Sequence, residues 1–201
     1  MKLKLFATCL TSLALIGAPV LADDAKDFWN KGNCPVKTKW TDSAGKPISL
    51  DEKFGKGAGE ATRCLGETKD IKALYRVNRV CEDIPACAKP YILGNIKNQI
   101  ADYEITHGMN SGDYKIAVVI GDGWKLTLDN NAAKRHPETN PFQSRMEEIV
   151  KHPSVTVLLC QNAAHAQGIV KENMIEGIGF VTAEVSAVAD LQEAGYRYVE
   201  P

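Results

Sequence analysis

No Cys-x-x-Cys pair occurs anywhere in the 201-residue chain. That absence disfavours a dithiol oxidoreductase, and without Cys-x-x-Cys-His there is no attachment motif for c-type haem. Zinc is poorly served as well, because none of the cysteines at 34, 64, 81, 87 and 160 forms the short Cys-x₂₋₄-Cys spacing of a structural knuckle. His107, His136 and His152 are scattered among polar neighbours, so neither a metal nor a cofactor is expected. Past the first 22 residues no apolar run is long enough to cross a bilayer. A basic surplus is also missing. Without the first 22 residues, 22 Lys and Arg stand against 25 Asp and Glu, a net charge of −3. That balance offers no field for polyphosphate, which argues against nucleic acid as a partner.

The amino end has a pattern of its own. Lys2 and Lys4 precede an apolar stretch from Leu5 to Ile16, followed by small residues at Val20 and Ala22 and an acidic Asp23-Asp24. This is the pattern of a secretory signal peptide cut after Ala22, which implies an exported, periplasmic product. Cys9 leaves with the peptide; Phe6-Ala7-Thr8 before it are the wrong residues for a lipoprotein anchor. The remaining 179 residues are enough for one domain with a core of its own.

Five cysteines remain, an odd number in a compartment that oxidises thiols. Cys34, Cys64, Cys81 and Cys87 are disulfide candidates and leave Cys160 free. Three pairings of the four are possible; spacing favours Cys34 with Cys64 and Cys81 with Cys87, without excluding the others.

Residues 23–72 are polar and rich in Gly and Lys, with Trp29 and Trp40 as large apolar anchors, and read as an irregular extension stapled by cysteine. From residue 73 onward the pattern alternates. Ala73 to Val80 predicts a strand ending at Cys81. After Pro90 a helix follows with Ile92, Ile96 and Ile100 on one stripe and Leu93 and Tyr103 beside it. Tyr114 to Ile120 is apolar on both faces, as in the middle of a parallel sheet. Asn140 predicts an N-cap with Pro141 at the first helical position and Gln143 closing a capping box, for a helix burying Phe142, Met146, Ile149 and Val150 and stopping at Pro153. Further strands are expected at Val155 to Leu159, Ile178 to Val181 and Tyr196 to Val199. A last helix, capped by Ser186, carries Val188 and Leu191 and ends at Gly195. The alternation predicts an α/β fold with about five mostly parallel strands and right-handed crossovers over residues 73–201.

Ligand chemistry in such sheets gathers at the carboxyl ends of the strands. Cys81, the Gly121-Asp122-Gly123 turn and Cys160 all fall there in this reading. The short segment Gln161 to Gly168 predicts a brief helix whose amino end, at Cys160, favours a thiolate. Burial as a small apolar side chain is the competing reading of Cys160. Asn162 is placed either to bind a sulfur species or to cap the turn. His165 lies roughly 140° around the helix from Cys160 and is expected on the surface. Gly121, Asp122 and Gly123 offer backbone N–H groups for a small anion, or form only a tight turn.

Four stretches resemble the DsrE/DsrF-like sulfur-relay family: Val118 to Leu126, Asn140 to Val150, Cys160 to Ile169, and Leu191 to Pro201. The resemblance spans roughly residues 73–201. It implies a flavodoxin-like three-layer sandwich and homo-oligomers, trimers or hexamers. It also implies a cysteine at the position of Cys160 that carries persulfide sulfur from a small sulfur-containing anion or a donor protein to an acceptor. Export and the cysteine-rich extension depart from the typical cytoplasmic relay protein. With a flavodoxin-like strand order, Cys81 and Cys87 would stand near Cys160 and resolve its adducts by thiol–disulfide exchange. A non-catalytic anion-binding or assembly subunit is the competing function on the same fold.

Overall fold

A computed structural model describes residues 40–62, 70–79 and 90–199. The expected signal peptide, Trp29, and Cys34, Cys64, Cys81 and Cys87 lie outside the described residues.

Within the extension, two short strands, β1 (Trp40–Thr41) and β2 (Pro47–Ile48), pair antiparallel, followed by helices α1 (Leu50–Phe54) and α2 (Ala58–Ala61). Ser49 starts α1 with a full capping box: its hydroxyl accepts from the Glu52 amide while the Glu52 carboxylate accepts from the Ser49 amide. Phe54 meets Trp40 edge-on at 5.4 Å, and the Lys53 ammonium sits 5.1 Å from the same indole. The described part of the extension is therefore built from short regular pieces around Trp40.

Five strands form the main sheet: β3 (Ile71–Val77), β4 (Tyr114–Ile120), β5 (Val155–Cys160), β6 (Gly179–Val181) and β7 (Arg197–Val199). All pairings are parallel, in the spatial order β6-β5-β4-β3-β7. The strand read from 73 to 80 begins two residues earlier and stops at Val77. The neighbouring strand explains the stop. Val77 is the last residue in register with β4, opposite Ile120, and the Val77 carbonyl then accepts the amide of Gly121 at 2.9 Å, where β4 turns away.

Handedness fixes the layers. Going from β3 to β4, β5 and β6 the chain steps three times in one direction across the sheet, so right-handed crossovers put all three connections on one face. These connections are α3 (Tyr91–Ala101), α4 (Gln143–Val150), and the segment that opens with α5 (Gln161–Ala166). They bury Ile92, Leu93, Ile96, Met146, Ile149, Ala164 and Ile169 against Ala73, Tyr75, Val77, Ile116, Val118, Ile120, Val157 and Leu159. The last crossover runs back from β6 to β7 and must take the opposite face. There α6 (Glu184–Glu193) packs Ala187, Val188 and Leu191 over Leu74, Ala117 and Val119. The result is the expected three-layer, flavodoxin-like α/β sandwich, with β4 buried on both faces.

Two helix starts differ from expectation. Asn140 does not cap α4 directly; Phe142 is the N-cap, and the Asn140 side chain accepts the Phe142 amide at 2.9 Å in a turn just before the helix. Gln143 closes no capping box, because its side chain is drawn to Asp129, Glu147 and the Asn130 amide. Helix α6 begins at Glu184 after an extended Ala183, so Ser186 lies inside its first turn. A π-helical turn, Asp102–Thr106, extends α3 and holds Tyr103 in the core.

Burial also governs a pH response. Tyr75 is 2% exposed and donates its hydroxyl to Gln99 Oε1 at 2.9 Å. Burial, helped by nearby Tyr103, pushes its phenol from 10.0 up to about 12. The folded protein thus holds this proton more tightly than the unfolded chain. The stabilisation is complete below pH about 10 and is lost as pH rises toward about 12. Urea titrations across that window are expected to show wild type losing about 2 kcal/mol more than a Tyr75→Phe variant.

Candidate functional site

Cys160 ends β5 and serves as the N-cap position of α5, with extended backbone angles and no side-chain cap. Its neighbours along the strand set its direction. Val155, Val157 and Leu159 face the α4 side, so Leu158 and Cys160 face the α6 side. The residue is 6% exposed, and its sulfur lies 3.9 Å from the Thr182 carbonyl just past β6. The first turn of α5 directs its free amides toward this strand end. Asn162 and His165 are both exposed on α5.

The register places Gly121 beside Cys160. Ile120, the last residue of β4, pairs with Leu159, and Gly121 and Cys160 are the residues that follow this last registered pair. What fills the space above Gly121 is the carboxylate of Glu184: a Cβ built on Gly121 would come within 2.2 Å of Glu184 Oε2. Glycine is therefore needed here for close approach of a side chain. Arg76, on β3, donates from Nε to Glu184 Oε1 at 2.7 Å, and Glu184 raises the basicity of the guanidinium. The Glu184 side chain is 13% exposed and the Arg76 side chain 33%, so the carboxylate is the shielded half of the pair and the guanidinium is partly open to water.

The turn that follows uses its amides internally. Gly121 N–H donates to Val77 O at 2.9 Å and Gly123 N–H to the same oxygen at 3.4 Å. A Cβ on Gly123 would meet Val77 Cγ1 at 2.7 Å, so this glycine too answers a close approach. Asp122 is exposed. Thus the turn's two glycine amides close the end of β3 against β4, the Cys160 sulfur meets the Thr182 carbonyl, and the Arg76–Glu184 pair stands over Gly121.

Neither Arg76 nor Glu184 stands out in the sequence as a site residue. Arg76 left a faint signal, as a charge inside an otherwise apolar strand. Its partner is 108 residues away and across the sheet, which no local pattern reveals.

The histidines remain apart. His136 bonds through Nε2 to Gln167 O and accepts the Glu138 amide, His107 pairs with Asp102, and His152 with Glu104. A pocket of about 260 Å³ between α3 and α4 is lined by Ile100, Ala101, Ile105 and Ile149 and closed by the Lys97–Glu148 pair. It lies in the helical layer on the far side of the sheet from Cys160. Among the described residues no helix is long and apolar enough to cross a membrane.

A parallel five-stranded sandwich with a free thiol closing its second-to-edge strand defines the class. The sequence model of the DsrE/DsrF-like family matches residues 95–201, just over half of the chain. The chain belongs to that family, which is related to sulfur relay. Among solved structures it is similar to the protein of unknown function MTH1491 from Methanobacterium thermoautotrophicum, at 19% identity and a TM-score of 0.50, covering 66% of this chain and 100% of that one. It is also similar to the ychN protein from E. coli, at 17% identity and a TM-score of 0.44, covering 65% of this chain and 100% of that one. A comparison with curated protein sequences returns no match.

Proposed function

We propose that this protein is a sulfur carrier of the periplasm that holds sulfane sulfur as a persulfide on Cys160. The observation that carries the reading is the position of the thiol: a free cysteine at the carboxyl end of a parallel strand, at the amino end of a helix, in a chain of a family related to sulfur relay. In the loading step the Cys160 thiolate attacks the outer sulfur of the donor and a sulfur–sulfur bond breaks. With thiosulfate the products are the Cys160 persulfide anion and sulfite, so charge and atoms balance and no other oxidant enters. Transfer to an acceptor thiolate is the same displacement in the opposite sense.

Burial supports a carrier rather than a fast catalyst. An exposed persulfide outside the cytoplasm meets oxidants, whereas one held at a 6% exposed position is sheltered. The same burial favours a second reading, in which Cys160 is a small packed side chain and the protein is a non-catalytic anion-binding or assembly subunit. Export rests on residues 1–22, and the expected oligomer and the resolving role of Cys81 and Cys87 stand with the carrier reading.

Intact mass separates the two. After incubation with polysulfide or thiosulfate, the mature protein is expected to gain the mass of one sulfur and to lose it on reduction. An unchanged mass under all donors would select the packed-cysteine reading.

A further inference from the structure

We infer that the Arg76–Glu184 ion pair sets the charge at Cys160, with Arg76 neutralising a carboxylate that would otherwise suppress the thiolate. The inference rests on the reading of Cys160 as the working thiol, and its geometry is independent of sulfur transfer. Two anchors bring Glu184 to the cysteine. Its carboxylate occupies the volume over Gly121, which follows Ile120 as Cys160 follows Leu159, the register partner of Ile120. Its backbone follows Thr182, whose carbonyl lies 3.9 Å from the Cys160 sulfur, by two residues. Adjacent strands are about 4.8 Å apart, which puts the carboxylate within roughly 7 Å of the sulfur.

At that range, in a region of low exposure, a single unbalanced charge moves a proton equilibrium about tenfold. Nature's arrangement balances it. Arg76 bonds Glu184 from the adjacent strand, and the pair presents little net charge to the thiol. Other charged or titratable groups are more remote or more exposed: Tyr198 on β7 near Arg76, Asp122 in the solvated turn, and His165 on the outer side of α5. Loss of Arg76 would leave the Glu184 carboxylate without its counter-charge over Gly121.

The arrangement predicts opposite effects from its two halves. Arg76→Gln should shift the pH midpoint of Cys160 alkylation up by about one unit, and Glu184→Gln should shift it down by a similar amount. The double variant should return toward wild type, and Arg76→Lys, which keeps the charge, should lie close to wild type. A role confined to folding would not give shifts of opposite sign. Iodoacetamide alkylation of the full chain, read by mass on the Cys160 peptide, supplies the midpoints. If alkylation is blocked by burial, thiolate absorbance corrected with a Cys160→Ser protein reads the same equilibrium. Opposite shifts with cancellation in the double variant support the inference, whether or not wild type takes up sulfur. Shifts of the same sign, or none in variants that unfold cooperatively, overturn it even if sulfur loading is intact.

Discussion

An Asn140→Ala protein is expected to lose about 3–5 kcal/mol of stability, the largest effect of any single substitution considered. Asn140 is 1% exposed and ties three segments together. Its Nδ2 donates to the carbonyls of Leu126 at 2.8 Å and Leu128 at 3.1 Å, and its Oδ1 accepts the Phe142 amide at 2.9 Å. Its own amide donates to Asn130 Oδ1 at 2.8 Å. Truncation removes the partner of two carbonyls and one amide at a buried position. An Asp at the same position keeps the acceptor for Phe142 but turns an oxygen toward the Leu126 and Leu128 carbonyls, and is expected to be no better than Ala. Urea unfolding followed by circular dichroism measures both. A loss under about 1 kcal/mol for Asn140→Ala would show that these carbonyls find water, and the hub would not be structural.

The second large effect is functional. A Cys160→Ser protein is expected to take up no sulfur at residue 160 while folding with a stability change below about 1 kcal/mol. Serine is close in volume, and its hydroxyl can still donate toward the Thr182 carbonyl, which the thiol approaches at 3.9 Å. Loss of loading together with loss of fold would mean that Cys160 is a packing residue after all. Loading retained by the variant would move the chemistry to another cysteine.

Much of the architecture is legible in the sequence because parallel sheets leave a strong trace. Tyr114 to Ile120 and Val155 to Leu159 read as strands of the sheet interior from their apolar runs, although Thr156 on β5 is exposed, and the Ile92, Ile96, Ile100 stripe marks α3 as a helix on that sheet. Ends are harder to read. The strand at 71–77 continues by pattern to residue 80, yet it stops where the Gly121 amide takes the Val77 carbonyl, an event of the neighbouring strand. Likewise Asn140 carries the residue type of an N-cap, but tertiary carbonyls at Leu126 and Leu128 claim its amide group, and the helix starts at Gln143. Ser186 has cap chemistry too, though the chain is already helical at Glu184 because β6 ends at Val181 and delivers it there.

At the candidate site, Cys160 is legible as a lone cysteine at a strand end. The two glycines are legible as a turn but not in their reason. Gly121 looks like an anion loop by composition, whereas its missing Cβ makes room for Glu184. That fact belongs to a contact between residues in β3, the β4 turn and α6, which only the folded chain assembles. The four remaining cysteines, at 34, 64, 81 and 87, lie outside the described residues, and the proposed exchange between Cys81, Cys87 and a Cys160 adduct is a matter for kinetics.

The most direct measurement is tryptic mapping of the protein after exposure to thiosulfate, alkylated without reduction. Cleavage after Lys151 and Lys171 isolates residues 152–171, in which Cys160 is the sole cysteine. The carrier account predicts that this peptide bears one additional sulfur beneath the alkyl group and that reductant removes it. A peptide 152–171 alkylated directly on its thiol, with the added sulfur found elsewhere or nowhere, would contradict the account.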